Sequence, residues 1–250
     1  MSDAATSPSA TAGADSVPVL ELRGVRAAYG NIEALHGIDL VVRGGSVLAV
    51  LGPNGAGKTT MLKVVSGVMA PTAGTVRMEG LDVTGASAEQ LSRAGVCLIP
   101  EGRGVFPNLS VRENVLMDTF ASNGRPLQEL EDRTYQRFPR LAERRHQLAG
   151  TLSGGEQQML SLARALTTDP ALIFLDELSM GLAPIVVAQL FEVVRELAAG
   201  GVTIVVVEQF AGVIEFVDEV AILVQGRIRA LGSPQEMADQ LASAYLGTTP

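Results

Sequence analysis

Lys58 and Thr59 end a glycine-rich stretch whose residue types and spacing suit the binding of phosphate groups. They belong to the run GPNGAGKT, residues 52–59, which matches the pattern G-x-x-x-x-G-K-T and lies between a predicted strand and a predicted helix. Glycines let backbone N–H groups turn toward a phosphate, the lysine reaches the outer phosphate oxygens, and the threonine hydroxyl is an Mg²⁺ ligand. An ordinary turn needs neither side chain, so the pattern predicts a nucleoside triphosphate site. The residues assigned to it are Gly52, Pro53, Asn54, Gly55, Ala56, Gly57, Lys58, Thr59 and Thr60.

Two adjacent carboxylates end an apolar run farther along the chain. The run ALIFLDE, residues 171–177, predicts a strand, and successive side chains of a strand point in opposite directions. Asp176 and Glu177 are therefore expected to have different roles. Asp176 suits Mg²⁺, directly or through water, and Glu177 suits activation of the water that attacks the terminal phosphate. Alone, the pair is as typical of a polar strand end, but together with the glycine-rich loop it predicts hydrolysis.

A second glycine-rich helix start stands at residues 151–160, with the sequence TLSGGEQQML. Ser153 and Glu156 match a capping box, and Arg164 near the other end complements the helix dipole. The cap gives no role to Gly154 and Gly155, because glycines in a first turn lower helix stability. The two glycines therefore indicate that some group approaches the backbone closely here.

The motifs lie within an alternating pattern of strands and helices that begins at Val19. The strand-like runs are almost continuous in Val, Ile and Leu, which predicts a mainly parallel α/β core covered on both faces. Residues 19–30 with 38–47, and residues 75–80 with their neighbours, read instead as antiparallel hairpins. From about residue 105 to 165 the patterns are helical without a strand signal, which predicts a helical lobe.

The ends of the chain complete the predicted organisation. Residues 1–18 read as a disordered tail without a basic or continuously apolar segment, and residues 19–250 as one domain. Ser233 is the expected start of the last helix, with Pro234 in its first turn, Glu236 completing a capping box and Gly247 beyond its end.

Composition restricts the classes of partner. The chain has 250 residues, 47% hydrophobic, and a formal net charge of −8, which argues against nucleic acid because phosphate backbones attract excess Lys and Arg. The longest apolar runs have the length of strands and are too short to cross a bilayer. Cys97 is the only cysteine, which fits a reducing compartment, and it is expected to pack in the core.

These motifs resemble those of the ATP-binding cassette (ABC) family over nearly the whole chain. LSGGE at residues 152–156 stands where the family has LSGGQ, residues 52–59 match its Walker A loop, LIFLDE its Walker B strand, and Tyr29 its adenine-stacking aromatic residue. The resemblance implies a P-loop NTPase fold with an antiparallel β subdomain, and an ATPase that uses ATP and Mg²⁺. It also implies two cassettes paired head to tail, in which Ser153, Gly154, Gly155 and Glu156 of one chain close on ATP held by the other.

Three longer stretches, residues 98–115, 149–166 and 175–187, resemble the LivF-type ATP-binding subunits of branched-chain amino acid importers, and SAYLG at 243–247 fits this group. The resemblance implies a peripheral subunit on the cytoplasmic face of the cell membrane. Its implied partners are a second ABC ATPase subunit, identical or paralogous, two membrane permeases and, indirectly, an external solute-binding protein. Two alternatives remain: an importer ATPase for urea, short amides or another amino acid, and a soluble cassette protein acting on DNA or ribosomes.

Four further positions depart from the general cassette pattern. Glu101 replaces the Q-loop glutamine and Gln209 the switch histidine, both as in the LivF-like group, and both are assigned to catalysis together with Glu177. Glu101 is also an expected Mg²⁺ ligand, and Gln209 can hydrogen-bond the terminal phosphate or the attacking water but cannot titrate near neutral pH. Ala183 replaces an aspartate, as is usual in the group, whereas Leu178 replaces a proline and is not.

The loop after Glu101 is unusually apolar or basic, with Arg103, Val105, Phe106 and Leu109. One hypothesis is that a permease helix docks there in a groove. Equally, Phe106 and Leu109 are expected to pack within the helical lobe.

Overall fold

The computed structural model of the protein describes residues 17–102, 104–117, 126–209 and 211–237. Arg103, the SAYLG segment and most of the predicted tail lie outside the described residues, so the predictions made for them stay predictions. The strands are β1 (Leu20–Tyr29), β2 (Ile32–Val42), β3 (Val47–Leu51), β4 (Ala73–Met78), β5 (Leu81–Asp82), β6 (Val96–Ile99), β7 (Leu172–Asp176), β8 (Thr203–Glu208), β9 (Glu219–Val224) and β10 (Arg227–Gly232).

Helices connect these strands and cover the larger sheet. Two further segments, Ala149–Thr151 and Ala211–Phe216, form 3-10 turns. Among the described residues no helix combines the length and the apolar character that crossing a bilayer requires. The helices are α1 (Lys58–Val65), α2 (Ala88–Arg93), α3 (Val111–Leu116), α4 (Leu127–Arg137), α5 (Pro139–Glu143), α6 (Gly154–Leu166) and α7 (Pro184–Ala199).

The larger sheet has the strand order β10-β9-β3-β8-β7-β6. Its neighbours from β9 to β6 are parallel, and only β10 joins antiparallel, which confirms the predicted mainly parallel core. Every residue of β3 and β8 is buried, as expected for apolar strands covered on both faces. Because parallel strands end at one edge of a sheet, the residues that follow β3, β7 and β8 lie on the same side of the molecule.

The smaller sheet is antiparallel, with the order β2-β1-β4-β5. The pairing of β1 with β2 and of β4 with β5 confirms both predicted hairpins, although β2 begins at Ile32 rather than near residue 38. The β1–β2 turn passes through Gly30, whose φ of 59° favours glycine. Tyr29 is the last residue of β1 and therefore stands at the end of this strand, next to the β1–β2 turn.

Helices α3 to α6 form the helical lobe expected for the fold. Apart from an isolated bridge between Ser110 and Leu148, the described residues between β6 and β7 form no strand. Ser110 caps α3 through a capping box with Glu113. The last described segment also starts as predicted, because the side chains of Ser233 and Glu236 cap each other's backbone N–H groups.

The hairpin of β9 and β10 was not anticipated by the sequence analysis, and its turn links three parts of the molecule. Gly226, with φ of 70°, donates its N–H to the carbonyl of Ala56 at 2.8 Å and accepts from the N–H of His36 at 2.8 Å. A Cβ at Gly226 would lie 2.7 Å from Cδ2 of His36 and would also collide with the carbonyl of Ala34. Only glycine therefore allows this turn to fit between β2 and the loop that follows β3.

Candidate functional site

The phosphate loop, residues 52–59, runs from the end of β3 into α1. Gly57 is the N-cap residue of α1 with φ of 106°, and a Cβ there would lie 2.9 Å from Cδ2 of Leu35. A Cβ at Gly52 would collide with the carbonyl of Leu223. These two glycines are therefore required by close packing, whereas a Cβ at Gly55, with φ of 77°, would meet only open space.

The loop presents donors that suit phosphate oxygens. Within the described residues, the backbone N–H groups of Gly57, Lys58 and Thr59 donate to no acceptor, as is usual for the first turn of a helix. Lys58 is 6% exposed, and its Nζ donates to the carbonyls of Gly52 at 2.8 Å and Pro53 at 3.2 Å. Burial lowers the pKa of Lys58, while nearby carboxylates act in the opposite direction. The loop therefore holds its lysine beside a set of unused N–H groups, which fits a bound polyphosphate.

Tyr29 lies beside α1 and is 48% exposed. Its hydroxyl accepts hydrogen bonds from Nζ of Lys63 at 3.2 Å and from Oγ1 of Thr60 at 3.5 Å. An exposed ring fixed against the phosphate-loop helix is suited to stack on a base. Thr60 is buried and its hydroxyl is directed at Tyr29. The neighbouring Thr59 is exposed at the start of α1, where its hydroxyl is open to a ligand.

Two neighbouring carboxylates act on Asp176 at the ends of β6 and β7. Burial and the charges of Glu177 and Glu101 raise the pKa of Asp176 to about 6, against the opposing charge of Lys58. A divalent cation would relieve this repulsion. Among the described residues no cluster of three or more His, Cys, Asp or Glu side chains can hold a metal by itself. Asp176 and Glu101 offer one or two carboxylate ligands. This number fits Mg²⁺, which usually takes one or two protein ligands together with substrate phosphates.

The structure brings Glu177 and Gln209 into direct contact. Nε2 of Gln209 donates to Oε1 of Glu177 at 2.6 Å, and the N–H of Glu177 donates to the carbonyl of Val207 at 2.9 Å. Glu177 has φ of 50°, a left-handed conformation that is strained for a residue with a Cβ. Such strain recurs at functional sites, where the surroundings fix it.

The signature turn, residues 153–156, starts α6. The N–H and Oγ of Ser153 donate to Oε2 of Glu156 at 2.9 and 2.7 Å, and the N–H of Glu156 donates back to Oγ at 3.4 Å. Burial would raise the pKa of Glu156, but the hydrogen bonds from Ser153 and the nearby charge of Arg144 outweigh it and lower the pKa. Nε of Arg144 lies 3.0 Å from Oε1 of Glu156. The predicted capping box is therefore present, and its ionised carboxylate is paired with Arg144.

Gly155 of the signature turn packs closely against another helix of the same chain. A Cβ at Gly155 would collide with Cγ1 of Val186 in the first turn of α7, so this glycine does have a structural role. The group that approaches its backbone belongs to the same chain. Within the described residues, the N–H groups of Gly154 and Gly155 still donate to no acceptor, which leaves them available to an anion.

Sequence reasoning missed two residues that hold the turn after β7. Glu208 is buried and accepts from the N–H and Oγ of Ser179. Its signal in the sequence is a charged residue that ends an apolar strand beside Gln209. Gln158 of α6 donates to the carbonyl of Leu178 at 3.2 Å, a contact that only the fold reveals. Leu178 itself is 1% exposed, so the side chain that replaces the family's proline packs in the core.

The loop after Glu101 is held by one buried side chain. Nδ2 of Asn114 donates to the carbonyls of Phe106 and Ser110 at 2.9 and 3.0 Å, and its Oδ1 accepts from the N–H of Phe106 at 2.7 Å. Phe106 is nevertheless 42% exposed, and the guanidinium of Arg164 lies 4.7 Å from the centroid of its ring. Val105 and Leu109 are partly buried. Asn114 thus connects the loop to α3, while the loop presents an aromatic side chain to the surface.

Comparison with known proteins agrees with this geometry. The family model for ABC transporters matches residues 35–179. BraG of Pseudomonas aeruginosa, a high-affinity branched-chain amino acid transport ATP-binding protein, is 40% identical over 88% of this chain and 95% of BraG. LivF of Archaeoglobus fulgidus, a probable branched-chain amino acid transport ATP-binding protein, is 31% identical over 86% of this chain and 92% of LivF.

A solved structure has the same fold. The ADP conformation of MJ1267, an ATP-binding cassette of an ABC transporter, aligns with a TM-score of 0.82 and 26% identity over 93% of this chain and 100% of MJ1267. This confirms the predicted P-loop ABC ATPase fold. The family match, the sequence relatives and the assembled motifs agree, and the chain belongs to the ABC transporter family as one of its ATP-binding ATPases.

Proposed function

We propose that this chain hydrolyses ATP with Mg²⁺ to drive the import of branched-chain or other hydrophobic amino acids. The observation that supports hydrolysis is the contact between Glu177 and Gln209, at the same sheet edge as the phosphate loop. A neutral amide that donates to a carboxylate fixes the direction of the carboxylate without adding a charge, and a general base must be positioned in this way to activate water.

The chain's own residues divide the work on the nucleotide. The free N–H groups of the phosphate loop and Lys58 bind the phosphates, and Tyr29 stacks on adenine. Thr59, Asp176 and Glu101 would hold Mg²⁺, which supplies charge that offsets the developing negative charge on the phosphate oxygens. Glu177 accepts the proton of the attacking water, and Gln209 keeps the carboxylate of Glu177 in place.

Assembly with a second cassette would complete the site. The N–H groups of Gly154 and Gly155 in the signature turn point from a helix N-terminus, where an anion is favoured. In the proposed head-to-tail pair, Ser153 and these N–H groups contact the terminal phosphate of ATP bound to a second ABC ATPase subunit, identical or paralogous. Hydrolysis removes that contact, so the pair opens and closes with the nucleotide.

The transported solute and the membrane partners are inferred from similarity. The 40% identity to BraG, over nearly all of both chains, supports branched-chain amino acids. Two permeases and an external solute-binding protein would complete the importer, with this chain on the cytoplasmic face of the membrane and the exposed Phe106 in contact with a permease helix. The net charge of −8 gives no support to a nucleic acid partner.

The test is uptake of radiolabelled leucine, isoleucine and valine by cells that lack the gene. We expect uptake of these three to fall and to return with the wild-type gene but not with the E177Q variant. Glutamine and urea uptake serve as controls and should not change. Unchanged uptake of all three branched-chain amino acids in the deletion strain would refute the proposed substrate.

A further inference from the structure

We infer that Glu208 is a positioning residue for Glu177 and Gln209, and that it acts by clamping the turn after β7 to the end of β8. The inference rests on the proposed role of Glu177 in hydrolysis. Glu208 is 2% exposed and is the last residue of β8, directly before Gln209. A carboxylate is costly to bury unless it is hydrogen-bonded, so its presence at this point calls for a function.

The hydrogen bonds of Glu208 lead to the turn that carries Glu177. Its Oε1 accepts from the N–H of Ser179 at 2.7 Å, and its Oε2 accepts from Oγ of Ser179 at 2.9 Å. On either side, Val207 accepts from the N–H of Glu177 and Gln209 donates to the Glu177 carboxylate. Consecutive residues at the end of β8 therefore each hold a part of the same turn.

This clamp explains how the backbone of Glu177 keeps its left-handed conformation. A φ of 50° persists at a residue with a Cβ only where the surroundings determine it. Val207 fixes the turn at Glu177, and Glu208 fixes it two residues later through Ser179. Without Glu208 the turn would be free to relax, and the Glu177 carboxylate would move relative to Gln209.

An electrostatic role would give a different result. The charge of Glu208 opposes the fall in the pKa of Lys58 that burial causes, so an effect through the phosphate loop would appear in ATP affinity. A positioning role acts on Glu177 and would appear in kcat. The ratio of the two effects therefore separates the mechanisms.

The experiment compares E208A with E208Q in the full-length chain, purified through a tag in the membrane complex that it forms in its own cell. Glutamine keeps the shape of the clamp, because its oxygen accepts from the N–H of Ser179 and its amide donates to Oγ. We expect E208A to lower kcat for ATP by roughly 10- to 100-fold, since a displacement of about 1 Å can cost that much, with the KM for ATP within about 2-fold. E208Q should stay within about 3-fold of the wild-type kcat.

The S179A variant supplies a double-mutant cycle. S179A should lower kcat less than E208A, because the N–H of Ser179 remains, and should add nothing to E208A. Rates are normalised to the folded fraction measured by circular dichroism. The inference is overturned if E208A keeps the wild-type kcat, if kcat and ATP affinity fall together, or if E208Q loses as much as E208A. E177Q is measured in parallel: wild-type turnover in E177Q contradicts the proposed hydrolytic role, whereas inactive E177Q with normal E208A contradicts only the clamp.

Discussion

Replacing Gly155 by alanine separates the packing role of the signature turn from its proposed contact with nucleotide. The added methyl group gains about 1 kcal/mol of helix propensity in α6. It also collides with Cγ1 of Val186, a partly buried side chain on the facing helix α7. Forcing an extra methyl into a packed contact costs about 1–3 kcal/mol, so G155A should be destabilised by up to about 2 kcal/mol.

The compensating change is V186A, which vacates the space that the new methyl group needs. Alone, V186A should cost about 1 kcal/mol, because a partly buried valine loses two carbon atoms. In the G155A/V186A protein the two losses should not add, and the coupling free energy should favour the double variant by about 1–3 kcal/mol. The assay is urea unfolding of each variant, followed by circular dichroism.

Additive losses would refute the packing explanation for Gly155. The same proteins then report on function. If the stabilised double variant hydrolyses ATP normally, packing against Val186 is the whole reason for the glycine. If it is stable yet slow, the backbone of Gly155 must also be approached by the nucleotide of a second cassette.

Three other predictions concern single side chains. E177Q should bind ATP as the wild type does and lose roughly 10²- to 10⁴-fold in turnover, because a positioned base is removed; equilibrium binding and steady-state hydrolysis check this, and normal turnover refutes the assignment. F106A should leave ATP hydrolysis by the chain unchanged but uncouple it from amino acid uptake, whereas intact uptake would assign Phe106 to packing alone. Burial is the main cause that raises the pKa of Glu208, whose surroundings include the charges of Glu177 and Lys58. The ionised form therefore costs stability above that pKa, and the cost disappears as the pH falls through it. E208Q lacks this cost, so its stability relative to wild type should be highest at alkaline pH and should decline on acidification; urea unfolding between pH 5 and 8 measures the difference, and the opposite slope contradicts the argument.

The sequence predicts those parts of the site whose chemistry is local. The phosphate loop needs its glycines, Lys58 and Thr59 within a few residues of one another, and Ser153 finds Glu156 one helical turn away. Strand periodicity predicts the parallel core for the same reason, because it depends on neighbouring residues. The sequence assigns both Glu177 and Gln209 to catalysis but does not predict that they touch. The structure shows the hydrogen bond between them.

The features that escaped prediction depend on partners far along the chain. Gly155 is required because Val186 packs against it, and Glu208 can be buried because Ser179 donates hydrogen bonds to it. Neither partner can be recognised before the packing of the helices and strands is known. The hairpin of β9 and β10 was missed because EVAILVQGRIRALG reads as an apolar run followed by a mixed one. Its turn is marked only by Gln225 and Gly226, which carry positive φ angles.

The turn at Gly226 constrains how this sequence can change in evolution. It belongs to no motif, yet the N–H of Gly226 donates to the carbonyl of Ala56 and its carbonyl accepts from the N–H of His36. A larger residue there would collide with Ala34 and His36 of β2 and displace the turn, which would break its hydrogen bond to Ala56 in the phosphate loop. A change in this distant turn would therefore resemble damage to the nucleotide site. The turn at Gly226 and the phosphate loop are therefore expected to vary together among descendants of this gene, although they lie far apart in the sequence.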